Sequence, residues 1–170
     1  MAQVAKWFDR KFEFTFPVEL YPNLLMRLRG MPARAEEILQ NRQRDVVTRK
    51  PDGKWSVQEH AGHLLTLEPL WLARVEDYVA DSEILSVTDL SNRPTDEANY
   101  NAWDLAEILR NFRGARKTLV DRASALDPAL FSRSIPHPRL KQPMRLVDHL
   151  FFAAEHDDHH LAKIWELISA

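Results

Sequence analysis

Apolar residues recur at the spacing of an amphipathic helix in four segments of the chain. In one of them, Val57, Leu64, Leu67 and Val75 fall on the same side of a helix. Helices with one apolar face bury that face against one another. The pattern therefore predicts an all-α fold, an up-down four-helix bundle, with helices at about residues 32–44, 56–79, 102–125 and 145–168.

Local signals mark where these helices begin and where they are disturbed. Ser56 and Glu59 stand three residues apart before an apolar run and form a capping box that begins the second helix. Pro69 is expected to kink that helix without dividing it, because the apolar pattern resumes in phase after it. Gly114, in the middle of the third helix, predicts a close contact with a neighbouring backbone.

The first 29 residues have a different pattern. Residues 11–16 alternate polar and apolar positions, as an extended segment with one buried face does. Residues 1–20 are therefore predicted to form an arm that packs its aromatic rings on the main domain or on a partner subunit. A short helix at 24–29 is expected to end at Gly30, and Pro32 is expected to begin the first helix of the bundle.

Two long segments between the helices, residues 81–101 and 127–144, are rich in polar residues and proline. A link near 20 residues long in a compact domain is more often functional than idle. We expect both links to be irregular and to shape a pocket.

The seven histidines all lie at or after position 60. His156 and His160 are one helical turn apart, which offers two imidazoles to one metal ion. His63, on the second helix, is placed to join them inside a bundle, and Glu59 and Asp157 are candidate partners for the outer ring nitrogens. Three imidazoles leave a coordination position open, as catalytic sites do. The same cluster also fits a solvated polar helix face.

Four other residues can each be interpreted in two ways. His60 and His149 are typical of capped or core histidines, although either is also a candidate ligand. His137, between two prolines, is expected in a loop or at the mouth of the site. Arg74 fits a surface salt bridge or a buried cation that binds an anionic group of a substrate.

Composition narrows the classes of function. The chain has 170 residues, 45% hydrophobic and 28% charged, which suits one globular domain over residues 1–170. The net charge of −2 argues against nucleic-acid binding, and there is no cysteine, so only histidine and carboxylate remain as metal ligands. No apolar run approaches the ~20 residues of a membrane span. The expectation is a cytoplasmic protein.

Two motifs resemble those of a known family, the DinB-like superfamily. They are Trp55-Ser56-Val57-Gln58-Glu59-His60-Ala61-Gly62-His63-Leu64 and His156-Asp157-Asp158-His159-His160-Leu161. The resemblance covers about residues 30–168. It implies an up-down four-helix bundle, often a homodimer, with a divalent metal ion, Zn²⁺ or Ni²⁺, held by His63, His156 and His160.

The resemblance also implies a class of reaction. The family includes metal-dependent transferases that use bacillithiol, mycothiol or glutathione. Arg74, eleven residues after His63, matches an arginine of the branch that contains bacillithiol transferases and predicted hydrolases. Thr66 stands where that branch often has an aspartate.

The function expected from these features is a transferase that activates a low-molecular-weight thiol for attack on a small electrophile. The alternatives are a metal-dependent hydrolase of the same fold and a stress-related binding protein with a structural metal. A fourth protein ligand, such as Glu59 or His149, would favour the binding protein.

Overall fold

The computed structural model describes residues 4–169. Four long helices carry the fold, and the expected all-α four-helix bundle is confirmed. Two short helices and one two-stranded sheet lie in the links between them. The elements in chain order are α1 (Tyr21–Leu39), α2 (Arg44–Thr48), α3 (Val57–Ala80), α4 (Arg93–Glu97), α5 (Leu105–Ser124), β1 (Ser134–Pro136), β2 (Pro143–Arg145) and α6 (Leu146–Ile168).

The long helices do not simply pack against their neighbours in the chain. Both α1 and α3 pack between α5 and α6, so that α1 and α3 face each other across a diagonal of the bundle. The side chains of Glu68 and Glu76 on α3 pair with Arg116 and Arg122 on α5, in the same order along both helices. Helices α3 and α5 are therefore parallel. In chain order, α1, α3, α5 and α6 run up, down, down and up.

This topology explains the length of the first link. Because α3 and α5 are parallel, the chain must return along the whole bundle between Ala80 and Leu105. It arrives beside the beginning of α3, where the Gln58 side-chain amide donates to the carbonyls of Tyr100 and Trp103. The path of the link takes it across one face of the bundle.

The expected break at Gly30 and Pro32 is wrong, because α1 runs unbroken through both residues. Pro32 has no N–H to donate to the carbonyl of Leu28, which would be orphaned inside the protein. Nη1 of the buried Arg116 donates to that carbonyl at 3.2 Å. A residue of another helix therefore replaces the missing helical hydrogen bond. Helix α3 likewise continues past Pro69, as expected.

The close approach predicted at Gly114 is also wrong, since a Cβ there would meet nothing within 4 Å. It is Gly62 that a neighbour approaches. A Cβ at Gly62 would lie 2.2 Å from the ring of Tyr100, whose hydroxyl is 2.8 Å from Oγ1 of Thr66. The absence of a side chain at Gly62 lets the first link pack directly on α3.

The N-terminal segment packs on the bundle. It has 3₁₀ turns at Trp7–Asp9 and Val18–Leu20, and the ring of Phe12 is buried in the core beside Phe152 of α6, with 5.0 Å between ring centroids. Packing on the main domain is therefore the arrangement found, and contact with a partner subunit stays a prediction. Residues 1–3 of the predicted arm lie outside the described part.

The second link contains a hairpin that the sequence pattern did not predict. Strands β1 and β2 are antiparallel, with Ile135 opposite Met144 and both buried. The backbone N–H of Leu85 donates to the carbonyl of Pro136, which joins the two links. No helix in residues 4–169 is long and apolar enough to cross a membrane.

Candidate metal centre and its cavity

Three histidines from two helices meet inside the bundle. Helix α3 begins at the capping box of Ser56 and Glu59 and presents His63 in its second turn. Helix α6 presents His156 and His160 one turn apart. All three are buried, with at most 6% of each residue exposed. The antiparallel packing of α3 on α6 brings them together.

The three side chains face one another through the same ring nitrogen. Nε2 of His156 lies 3.4 Å from Nε2 of His63 and 3.2 Å from Nε2 of His160. Two imidazole nitrogens bound at ~2.0–2.1 Å to one tetrahedral Zn²⁺ would be about 3.3–3.4 Å apart. The spacing of these nitrogens therefore fits a single divalent ion, and one ligand atom from each of the three residues lies within 4.8 Å of the others.

The imidazoles are in the protonation state that metal binding needs. Burial lowers the pKa of His63 to about 3, with His60 and His159 adding to the shift. The pKa values of His156 and His160 are also lowered well below 6.5, mainly by burial and then by neighbouring histidines. Neutral rings offer lone pairs to a cation.

The outer nitrogens of two of these rings have partners. Nδ1 of His63 lies 2.9 Å from Oγ1 of Thr95, a buried residue of α4. Nδ1 of His160 lies 2.9 Å from Nδ1 of His60. With Nδ1 engaged in this way, Nε2 of each ring is left to face the centre of the cluster. Nδ1 of His156 is buried without a partner in residues 4–169.

Glu59 and Asp157, the partners expected from the sequence, are not the ones found. The carboxylate of Glu59 accepts hydrogen bonds from the Ser56 N–H and from Nζ of Lys50, both at 2.8 Å. Asp157 pairs with Arg116 on the opposite side of α6. Adjacent residues of a helix point about 100° apart, so a neighbour in sequence of His156 or His60 need not reach the same site.

The three histidines line one wall of a cavity of about 510 Å³. Its remaining walls are largely aromatic and apolar and come from α3, α6, both links and the N-terminal segment. The Trp7 ring stands edge-on to the ring of His156, at 5.0 Å between centroids. Other residues of these walls include Phe8, Trp55, Leu67, Leu70, Val87, Leu90 and Phe152.

The other histidines take separate positions. His60 and His159 are half-buried in the cavity wall. His149 is fully buried, and its Nε2 donates to the carbonyl of Trp71 at 3.2 Å. Within residues 4–169, neither His149 nor Glu59 joins the three histidines as a fourth ligand. This part of the chain therefore provides three ligands and a cavity beside them.

Arg74 lines the same cavity and is buried, with 2% of the residue exposed. Its Nε donates to the carbonyl of Ser86 at 3.0 Å, and its Cζ lies 5.6 Å from the centre of the Trp71 ring. Burial lowers its pKa to about 10, against smaller opposite effects of Tyr78 and Asp77. The guanidinium is thus a buried cation rather than part of a surface salt bridge.

The sequence predicted no role for Thr95, and for His137 it predicted only a place in a loop or at the mouth of the site. No sequence pattern around Thr95 indicates its contact with His63, because that contact depends on how the first link folds back over α3. His137 is buried in the cavity wall at the end of β1. Its position between two prolines predicts a loop or the mouth of the site, and the hairpin is what brings it to the cavity.

Comparison with known proteins gives the family of the chain and agrees with its four-helix-bundle fold. The model of the DinB superfamily matches residues 27–164. Among solved structures, the chain is similar to YfiT from Bacillus subtilis, with 19% identity, a TM-score of 0.81, and coverage of 93% of this chain and 91% of that one. YfiT is described as a probable metal-dependent hydrolase with an unusual four-helix bundle topology. The search of curated proteins found no match.

Proposed function

The chain belongs to the DinB superfamily, and from that premise we propose that it is a metal-dependent enzyme. His63, His156 and His160 hold one divalent ion, Zn²⁺ or Ni²⁺, and the cavity beside them admits a small nucleophile and a small electrophile. The nucleophile we favour is a low-molecular-weight thiol, so that the enzyme is a thiol S-transferase.

The observation that carries the proposal is the convergence of three neutral imidazoles on one point at the wall of a cavity. Nε2 of His156 lies 3.2–3.4 Å from Nε2 of the other two rings, and a divalent cation between the three atoms would bind the lone pair of each. A purely structural ion would be expected to have a fourth protein ligand. The cavity instead leaves room for a ligand from solution.

A divalent ion at this site supplies Lewis acidity, which lowers the pKa of a thiol or water in the cavity. The apolar walls, among them Trp7 and Phe152, exclude bulk water and strengthen electrostatic interactions inside. In the transfer, the thiol gives its proton to solvent, its sulfur forms a bond to the electrophilic carbon, and the leaving group departs with the electron pair of the bond that breaks. Arg74 is placed to bind an anionic group of one reactant.

Hydrolysis is the second candidate. YfiT, a solved structure of the same fold, is described as a probable metal-dependent hydrolase. In that case water replaces the thiol, and the same three histidines and the same cavity serve the reaction.

A screen of the purified, metal-loaded protein tests the proposal. A chromogenic aryl halide is offered with and without a panel of small thiols, and aryl esters and amides are offered alone. We expect thiol-dependent product that disappears after chelation and in the His63→Ala variant. Product without any thiol would identify the hydrolase. Activity that is lost in His63→Ala but survives complete chelation would contradict both forms of the proposal. The homodimer stays a prediction that light scattering tests.

A further inference from the structure

We propose that the cavity contains an oxyanion-binding subsite next to the three histidines, formed by Arg74, Trp71, His137 and Arg139. Its ligand is a carboxylate or phosphate group carried by a small molecule. The subsite adds a substrate class to the proposed function. A reaction of the bound anion depends on that function, whereas binding of the anion does not.

The first argument is a group of buried donors without acceptors. In residues 4–169, Nε1 of Trp71, Nε2 of His137 and Nη2 of Arg139 are buried and have no hydrogen-bond partner. Buried polar groups are nearly always paired, because an unpaired one costs the full desolvation of the group. All three residues line the cavity, as Arg74 does. A ligand with several lone pairs would satisfy them together.

The tautomer of His137 is set by its own loop. Its Nδ1 accepts hydrogen bonds from the backbone N–H groups of Arg139 and Leu140, at 3.2 and 3.1 Å. Burial, with Arg74 and Arg139 nearby, lowers its pKa to about 3, so the ring is neutral. A neutral imidazole whose Nδ1 accepts must carry its proton on Nε2. The unpartnered Nε2 of His137 is therefore a donor.

The second argument is uncompensated positive charge. Burial lowers the pKa of Arg139, with no carboxylate acting against it, and its Cζ rests 5.3 Å from the ring centre of Phe8. Burial also lowers the pKa of Arg74, and the charge of Arg139 adds to that shift. Tyr78 and Asp77 raise the pKa of Arg74 by less than burial lowers it, and Oδ2 of Asp77 already accepts from the N–H of Ser86. Two guanidinium groups thus share a poorly solvated region that an anion would neutralise.

Three of the four residues lie around the ring of Phe152, and Cζ of Arg74 lies 5.6 Å from the ring centre of one of them, Trp71. The centroid of Phe152 is 5.2 Å from that of His137 and 6.2 Å from that of Trp71, and Cζ of Arg139 is 5.7 Å from it. The ring of Trp71 also lies 5.5 Å from that of His156. The indole of Trp71 therefore joins the anion subsite to the three histidines, and one small molecule can reach both.

Benzoate, benzamide and phenyl phosphate are suitable probes, because the cavity is apolar and benzamide is a neutral analogue of benzoate. Calorimetric titration is made on the metal-loaded protein and on the protein after chelation. We expect benzoate and phenyl phosphate to bind at least about tenfold more tightly than benzamide, both with and without the metal. Binding to the metal-free form tests the subsite separately from the metal-dependent reaction.

Two variants and one matched control locate the binding. Arg139→Gln removes a cation, and Trp71→Phe removes the indole N–H but keeps a ring. Each is expected to weaken anion binding by about 10- to 100-fold without affecting benzamide equally. Arg110→Gln makes the same charge change at an exposed position of α5 outside the cavity and should bind as the parent protein does. Thermal unfolding of each variant confirms that it is folded.

Other outcomes would overturn the subsite. If the anions bind only in the presence of metal and Arg139→Gln binds them as tightly as the parent, they bind at the metal and the metal centre alone stands. Equal affinity for benzoate and benzamide, or loss of binding in Arg110→Gln to the same extent, would also reject it. Anion binding after chelation by a protein without any activity would reject the proposed reaction and keep the subsite.

Discussion

Helices α3 and α6 contribute to two clusters of buried polar side chains, the second of which also includes Arg116 of α5, and the clusters differ in how their polar groups are paired. One is the group of three histidines beside the cavity. The other is an ion network on the far side of α6, in which the guanidinium of Arg116 lies between the carboxylates of Glu68 and Asp157.

The ion network is closed on itself. Arg116 donates to both carboxylates at distances down to 2.5 Å and to the carbonyl of Leu28. All three charged residues are at most 2% exposed. The carboxylates raise the pKa of Arg116 against the effect of burial, so its charge is retained. Every strong group of the network finds its partner within the protein, which is what a structural cluster requires.

The histidine cluster is open. Its Nε2 atoms face one another, Nδ1 of His156 has no partner in residues 4–169, and the cluster borders a cavity rather than packed side chains. Asp157 and His156 are adjacent in the chain but belong to opposite clusters. The comparison teaches that a buried polar group left incomplete by its own protein marks a place for a ligand, whereas a complete one marks a contribution to the fold.

The largest effect is expected from removing two ligands of the open cluster. The His156→Ala/His160→Ala variant should bind no divalent metal, while the parent protein binds about one equivalent per chain. Elemental analysis after dialysis measures this.

His159→Ala is the matched control, because His159 lies on the same turn of α6 but outside the three ligands. It should retain the metal of the parent protein. Equal metal content in the parent and the double variant would show that the cluster is not the binding site.

Breaking the closed cluster should affect stability instead. Arg116→Met leaves the buried carboxylates of Glu68 and Asp157 without their cation and should lower the free energy of unfolding by about 3–5 kcal/mol. Arg113→Met, on the same helix, breaks an exposed pair with Glu36 and should cost at most about 1 kcal/mol. Urea unfolding compares them, and similar losses in both would refute the contrast between buried and exposed pairs.

A fall in pH should change the stability contributions of the two clusters in opposite directions. In the metal-free protein the pKa values of His63, His156 and His160 are depressed, so only the unfolded chain gains protons as the pH falls below 6.5. The stability present above pH 6.5 is therefore lost towards pH 3, at up to about 1.4 kcal/mol per pH unit for each histidine. Burial raises the pKa of Glu68 to about 7, and this contribution is present below pH 4.5 and lost as the pH rises through 7.

Burial also raises the pKa of Asp157, so Glu68 and Asp157 both oppose the histidines. They are two groups against seven, because the pKa values of all seven histidines are lowered. Unfolding curves of metal-free protein at several pH values should show a net loss of stability on acidification. The metal-free His156→Ala/His160→Ala variant should have a shallower dependence than the parent. Curves of equal slope would mean that these two rings do not stay neutral in the folded protein.

The smallest effect is expected from the residue that orients a ligand. Thr95→Val keeps the shape of the side chain but removes the hydroxyl beside Nδ1 of His63, and should weaken metal binding by about 10- to 100-fold. Thr66→Val, whose hydroxyl contacts Gly62 and Tyr100, is the control and should leave the affinity unchanged. Competition with a chelating dye measures both, and equal weakening would remove the orienting role of Thr95.

Much of this fold follows from short-range patterns. The capping box at Ser56 and the limits of α3, α5 and α6 were predictable, because they depend on residues within a few positions of one another. Gly30 and Pro32 misled the prediction of α1, because the hydrogen bond that rescues the helix comes from Arg116, far away in the chain. A local signal predicts a local cost but not a distant compensation.

The candidate site divides in the same way. The sequence by itself determined that His156 and His160 share a helix face, because the helical period is a local property. Only the tertiary structure decided that His63 meets them at Nε2, that Thr95 rather than Glu59 or Asp157 supports the site, and that Arg74, His137 and Arg139 share one cavity. Those contacts depend on the paths of two long links across the bundle, and the path of a link is set by the packing of residues that are distant in the chain.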